Sequence, residues 1–372
     1  MKKKLDQLLS YSKNYFIEKL ENEYGVINLQ KPVILFGAGQ MADSFIEICN
    51  KNKIEIVGII DNDEGKHNRR KNNYIIRGPD ALSGYEKDIQ IIITSINCEE
   101  ILSQLSKMGF KKSWSHEYMS TVFPHIFHNP YWLNSIESIL NSKSKILNCF
   151  ALLGDDVSKK IYYSLLVYRL TLHKEALKRM KSSVEEEYFD PLIVGLGTND
   201  VYVDGGAYTG DTIKKFVNRT HNKFKTIYAF EPDTNLFNKI VNNISIFKDR
   251  RIKVIKCGLG SKNGSVSFTN DGTLGSRISQ DGTIRVKIVS LDKFLDEIPT
   301  IIKFDIEGAE LEAIEGAKNL ITNHKPMITL SAYHKTEDLW EIPLLLKKLR
   351  PDYMYILRHY GDFLYDTIYY AV

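Results

Sequence analysis

The stretch VYVDGGAYTGDT, residues 201–212, sets Asp204 at the mouth of a turn that carries Gly205, Gly206 and Gly210. The spacing D-x-G-x-x-x-G brings backbone close to a ligand, because glycine has no Cβ to hold it off. A carboxylate there repels a pyrophosphate and suits a ligand bearing an ammonium group, held directly or through water. Ala207, Tyr208 and Thr209 fill the turn and count with it as candidate contacts. The next strand-like run, YAFEPD, ends in Glu231, Pro232 and Asp233. An acid at a strand's carboxyl end can accept both hydroxyls of a ribose without any phosphate. Amine, ribose and no phosphate together describe S-adenosyl-L-methionine as the cofactor.

Further on, IIKFDIEGAE puts Asp305 at another strand's carboxyl edge, where open α/β sheets bind ligands. Asp305 is a candidate to orient an acceptor hydroxyl, to assist its deprotonation, or to contact the cofactor's amine. Glu307 reads equally as a catalytic acid or a helix-start acid, and Glu310 as a helix cap. His334, in SAYHK, is the candidate general base, because an unperturbed pKa near ~6.5 leaves neutral imidazole at cellular pH. Tyr333 beside it reads as packing. Asp305 and Glu307 are hard oxygen ligands, but two carboxylates do not make a metal site, and no metal is expected.

An earlier turn, VILFGAGQMADSF, has the glycines without the acid. Gly37, Gly39 and Ala42 fit the G-x-G-x-x-A dinucleotide pattern, and Gln40 opens a helix whose amides could hold phosphate. Asp61 lies about 20 residues on, where an acid could bind ribose hydroxyls. Three readings stay open for this cleft: a purely structural turn, a nucleotide or nucleotide-sugar site, or an NAD site.

These residues need strands to carry them, and the sequence supplies two sets. PVILFGAG, IEIVGIIDND and IQIIITS alternate with helical stretches, and so do DVYVD, TIYAFE, IKVIKC, TIIKFD and PMITLSA, which argues for two parallel α/β sheets. DYMYILRH and FLYDTIYYAV, joined by YGD, read as a closing antiparallel hairpin. The expected organisation is an N-terminal helix (1–28), a Rossmann-like nucleotide-binding-type domain (29–115), a helical connector (116–190) and a domain of class I methyltransferase outline (191–372). Gly154, followed by Asp155 and Asp156, marks a break between two helices of the connector.

Lys plus Arg number 50 against 46 acids, and they are scattered, so nucleic acid gains no support as a partner. No apolar run reaches the ~18 residues of a membrane span. MKKKLDQLLSYSKNYFIEKL has charges where a signal peptide needs an apolar core, and reads as an amphipathic helix. Four widely spaced cysteines without a CxxC pair fit reduced thiols in a cytoplasmic protein. The number of chains that assemble is left open, with a homodimer among the options.

Over residues 188–372 the sequence resembles the FkbM family of S-adenosylmethionine-dependent methyltransferases. The resemblance rests on YFDPLIVGLGTNDVYVDGGAYTGDTIKKF, YAFEPD, VSLDKFL and IIKFDIEGAELEAIEGA. It implies O-methylation, a cofactor role for Asp204, Gly205, Gly206 and Glu231, and a place beside the adenine for Cys257 and Gly258. The first domain resembles the small Rossmann-like domains attached to sugar-modifying transferases. The function expected is methyl transfer to a hydroxyl of a sugar in a surface glycan or its nucleotide-linked precursor, with carbohydrate or nucleotide-sugar as the partner. One alternative is an NAD-dependent sugar-modifying oxidoreductase or epimerase, which leaves Asp204 and Glu231 unexplained. Another is a non-catalytic scaffold that binds the cofactor.

Overall fold

The computed structural model of the protein describes residues 1–128, 135–269, 277–278, 284–362 and 364–372. Packing divides the chain into two compact units, one of residues 10–141 and 167–173, the other of residues 1–9, 142–166 and 174–372. The helical stretch 116–190 is therefore not a unit of its own. Helices His116–Val122 and Ile136–Asn141 fall in the first unit and Lys143–Leu152 in the second. No helix among the described residues is long and apolar enough to cross a membrane.

The first unit holds β1 (Val33–Phe36), β2 (Ile56–Ile60), β3 (Arg70–Lys71), β4 (Tyr74–Arg77), β5 (Gln90–Ile93) and β6 (Ser113–Ser115), in the order β3-β4-β2-β1-β5-β6. VILF and QIII, the sequences of β1 and β5, are buried along their whole length, as central parallel strands covered on both faces must be. Helix Gln40–Lys51 buries Met41, Ala42, Phe45, Ile46 and Cys49, one apolar stripe at helical spacing. Between strand and helix Gly37 has φ +117°, and a Cβ there would stand 2.6 Å from the Thr94 carbonyl oxygen, so only glycine fits. The short β3, β4 and β6 escaped the sequence reading, because runs of two to four residues carry little periodicity.

In the second unit β7 (Val201–Gly205), β8 (Thr226–Phe230) and β9 (Ile252–Ile255) are followed by the strands of a smaller sheet, β10 (Gly258–Leu259), β11 (Gly264–Thr269), β12 (Arg277–Ile278) and β13 (Ile284–Val289). Then come β14 (Ile301–Phe304), β15 (Met327–Ser331), β16 (Tyr355–His359) and β17 (Thr367–Ala371). The larger sheet runs β16-β17-β15-β14-β7-β8-β9, parallel except that β17 opposes both its neighbours. This is the anticipated parallel sheet closed by an antiparallel hairpin. The smaller sheet was not anticipated, although Arg285 and Lys287 exposed between buried Val286 and Ile288 give the period of two that marks a half-buried strand.

From β7 the chain builds outward through β8 and β9, and from β14 it builds the other way, so order reverses between β7 and β14. Ligands of open α/β sheets bind outside the carboxyl ends of strands at such a reversal. The turn leaving β7 is fixed by packing on both sides. Helix Asp211–Arg219 buries Ile213, Phe216 and Val217, and the Tyr202 ring of β7 stacks on Phe216 with centroids 4.6 Å apart. Asp155 accepts from the Ser158 amide at 2.6 Å and so starts helix Asp156–Thr171 just after Gly154.

Candidate active site

Around the carboxyl ends of β7, β8 and β14 lies a cavity of about 240 Å³, far above the ~15 Å³ that one water needs. Of the residues anticipated from the sequence, Gly206, Tyr208, Glu231, Pro232 and Gly258 line it, together with Asp305 and Glu307. Asp204, Gly205, Ala207, Thr209, Gly210, Asp233, Cys257 and His334 are not on its wall. Asp233 instead caps helix Thr234–Ile244, accepting from the Asn235 and Leu236 amides. Tyr188, Gly206, Tyr208, Glu307 and Asp366 all line the cavity with φ between +49° and +75°. Backbone in sparsely populated regions costs ~1–3 kcal/mol per residue and collects at functional sites.

Gly206 shows why this turn needs glycine. Its φ is +75°, and a Cβ would lie 1.8 Å from the Asp305 carbonyl oxygen, so the β7 turn passes directly against the tip of β14. The Gly206 and Ala207 amides both donate to the Phe230 carbonyl at 3.1 Å, tying the same turn to β8.

Asp204 departs from the expectation of a ligand-facing carboxylate. It is fully buried, accepts from Thr212 Oγ1 at 2.5 Å, and pairs with Lys303 Nζ at 3.0 Å. The ammonium across from it belongs to the protein's own strand β14. Burial opposes the charge on Lys303, but Asp204 and Asp305 hold its pKa above the ordinary lysine value, while burial raises the Asp204 carboxyl against the lowering pull of Lys303 and Thr212. Lys303 also donates to the Gly206 carbonyl at 2.9 Å, which makes the pair a clasp for the turn. A direct hold on a ligand's amine is not open to Asp204 while these donors occupy it.

Glu231 sits at the tip of β8, where the sequence put it. One carboxylate oxygen accepts the Asp233 amide at 2.9 Å and the other the Tyr208 amide at 3.1 Å. A carboxylate has about four lone-pair positions, so two remain for hydroxyl donors from the cavity. Burial raises its pKa to about 7, against the lowering pull of the two amides. Beside it Leu236, Leu259, Val286 and Ile288 make an apolar wall suited to a flat base, with Gly258 in the same wall. Burial likewise raises the Cys257 thiol, which fits packing and no thiol chemistry.

Asp305 projects from β14 into the cavity and is held by Ser331 Oγ at 2.8 Å and Tyr333 Oη at 3.3 Å, with Lys303 Nζ at 3.9 Å. Burial disfavours its charge, but Lys303 and His334 outweigh this and keep the carboxyl below its usual range. Tyr333 thus lines the site and does more than pack. His334 contradicts the reading of a neutral base. Burial disfavours its charge, yet Glu310 at 2.8 Å, Asp305 at 3.5 Å and Glu307 at 3.7 Å lift its pKa to about 10. It is an imidazolium at neutral pH, with no lone pair to accept a proton. Glu310 is fully buried and accepts from the Ile306 amide as well as from His334, so it organises the loop more than it caps a helix. Glu307 is pushed up to about 7, first by burial.

Glu187, Tyr188, Lys303 and Asp366 are cavity residues that sequence reasoning missed. Lys303 left a signal, a single charge inside the apolar run TIIKFD. Glu187 and Asp366 come from the approach to β7 and the turn before β17, and neither sits in a motif. Among the described residues no group of three or more His, Cys, Asp or Glu is arranged to hold a metal ion.

In the first unit the acid expected to take ribose hydroxyls is engaged internally. Asp61 accepts the Ala38 amide at 2.6 Å, the Asp63 amide at 2.8 Å and Lys66 Nζ at 3.1 Å. These donors hold its carboxyl below the usual range despite burial. Gly37 is required by its close approach to Thr94, Gly39 has open space around it, and Gln40 begins the helix.

Residues 204–362 match the methyltransferase FkbM domain, and residues 29–114 match the C2185-like N-terminal domain. The chain is similar to the hexuronic acid methyltransferase AglP of Haloferax volcanii, 29% identical over 105 residues, which spans 26% of this chain and 42% of that protein's length. The crystal structure of the methyltransferase FkbM from Methylobacillus flagellatus KT superposes with a TM-score of 0.78 at 20% identity, covering 100% of this chain and 98% of that one. At that identity the likeness is one of fold. Over residues 204–362 the chain is thus similar to the FkbM methyltransferases, and the stretch before it in the sequence is similar to a C2185-like N-terminal domain.

Proposed function

We propose that this methyltransferase uses S-adenosyl-L-methionine to methylate a hydroxyl of a sugar, in a surface glycan or its nucleotide-linked precursor. The observation that carries the cofactor reading is Glu231, a carboxylate with lone pairs to spare at the tip of β8, between the Gly206 turn and an apolar wall. Those features fit a ribose and an adenine, and the nearby acids of the cavity fit a cationic sulfonium. Bound there, the cofactor supplies a methyl group on a good leaving group, so no acid is needed to activate it.

The protein's share of the chemistry is orientation and a proton. Asp305, ionised and fixed by Ser331, Tyr333 and Lys303, is suited to accept a hydrogen bond from a neighbouring hydroxyl of the sugar and so turn the acceptor oxygen toward the methyl. The sugar class is supported by the name of the Haloferax volcanii relative, a hexuronic acid methyltransferase. Incubating the full chain with methyl-labelled S-adenosylmethionine and methyl glycosides tests the reading. Label appearing in an ether on the sugar supports it, and label retained wholly on the cofactor contradicts it.

A further inference from the structure

The segment leading into β7 puts Glu187 and Tyr188 on the cavity wall, outside the residues that match the FkbM domain. Helix Asp211–Arg219 fastens this segment through its backbone. Lys215 Nζ donates to the Val184 carbonyl at 3.1 Å and the Glu187 carbonyl at 3.4 Å, and Arg219 donates to the Glu185 carbonyl at 2.7 Å and to that of Phe189. Tyr188 takes φ +66°, with its hydroxyl 3.1 Å from Ser331 Oγ and its ring 5.0 Å from Lys303 Nζ. That left-handed residue lets two successive side chains enter one cavity, a costly conformation that the four backbone clasps maintain.

Three other acids of the cavity wall already have partners. Asp305 holds Ser331 and Tyr333, and both oxygens of Glu231 hold amides. Glu307 stands 3.7 Å from the His334 imidazolium. Among the described residues no hydrogen bond reaches the Glu187 carboxylate. The charged groups facing it are Asp366 from the turn before β17, Lys303 from β14, Asp305 just after β14, and Lys215 from the helix.

We propose that Glu187 is the proton acceptor for the hydroxyl that is methylated, an inference that rests on the function proposed above. As the acceptor oxygen attacks, its proton passes to a Glu187 oxygen and the new C–O bond forms. The C–S bond of the sulfonium donor breaks with sulfur keeping the electron pair, and Glu187 later returns the proton to solvent. Burial, with Asp366 and Asp305 adding like charge, pushes this carboxyl up to about 8 against the pull of Lys215 and Lys303. A base works best with its pKa near the operating pH.

The test uses full-length wild type, Glu187→Gln, Glu187→Asp and Asp366→Asn with S-adenosylmethionine and a panel of neutral, amino and uronic methyl glycosides, with cofactor Kd measured on the same samples. Glu187→Gln is expected to lower kcat by ~10²–10⁴-fold and to abolish the rise of kcat toward pH 8, leaving cofactor Kd unchanged. Glu187→Asp recovers part of the rate, and Asp366→Asn moves the rising limb to lower pH by removing a like charge. Full kcat in Glu187→Gln overturns the inference alone. So does a raised cofactor Kd with kcat intact at saturation, which makes Glu187 a cofactor contact. No turnover by the wild type on any glycoside contradicts the proposed function, and the inference falls with it.

Discussion

Lys303 stands directly opposite Asp204 in the register of the parallel strands β14 and β7, and the two side chains meet at 3.0 Å in full burial. The pair joins the strands on either side of the order reversal and holds the turn that leaves β7. Breaking it by Lys303→Met leaves Asp204 buried and unpaired, at an expected cost of ~3–5 kcal/mol. Adding Asp204→Asn should restore much of that loss. Urea unfolding of the wild type, single and double variants measures it, and equal stability of Lys303→Met and wild type would contradict a clasp.

Glu231 ties cofactor affinity to pH. Its folded carboxyl titrates near about 7, and only the ionised form accepts from both ribose hydroxyls. Cofactor Kd should therefore fall as pH rises from 6 to 8. In Glu231→Gln the profile should flatten and affinity should drop by ~10- to 100-fold, the equivalent of one or two hydrogen bonds to a charged group. Calorimetric titrations across that range check it, and a Kd indifferent to pH in the wild type would count against the assignment.

His334 contributes to stability with the opposite sign. Its pKa rises from 6.5 to about 10 on folding, so its contribution is complete below about 6.5 and is lost as pH rises through about 10. Comparing unfolding free energies of wild type and His334→Gln between pH 6 and 10 should show the difference shrinking as pH rises. A difference that grows with pH would mean that the imidazole is neutral in the fold.

Asp61→Ala removes an acceptor from two amides and a lysine in the first unit. Stability should fall by ~1–3 kcal/mol, the cost of unsatisfied buried donors. Titration of the intact wild type with NAD should give no heat, because the acid that would take a ribose is already engaged. NAD binding that Asp61→Ala abolishes would reverse this reading.

The two larger sheets were legible in the sequence because VILF, QIII, VYVD, TIYAF and TIIKF are apolar runs bounded by turns, and a run of that kind needs two covered faces. Asp204 and Glu231 were legible as strand-tip acids. What each acid faces was not, because Lys303 lies 99 residues from Asp204 and only the register of β7 and β14 brings them level. The place of His334 after β15 could be foreseen. Its charge could not, since it depends on three acids, two in the loop after β14 and Glu310 at the start of the next helix, converging on one buried ring. Glu187, the last of three consecutive glutamates, and Asp366 left no pattern, lying in irregular segments.

A crystal structure of the intact protein with S-adenosylhomocysteine tests the central claim most directly. The account predicts both ribose hydroxyls within hydrogen-bond distance of Glu231, the adenine against Leu259, Val286 and Ile288, and the Lys303–Asp204 pair intact. A nucleoside bound away from Glu231, or an amine on Asp204 with Lys303 displaced, would contradict it.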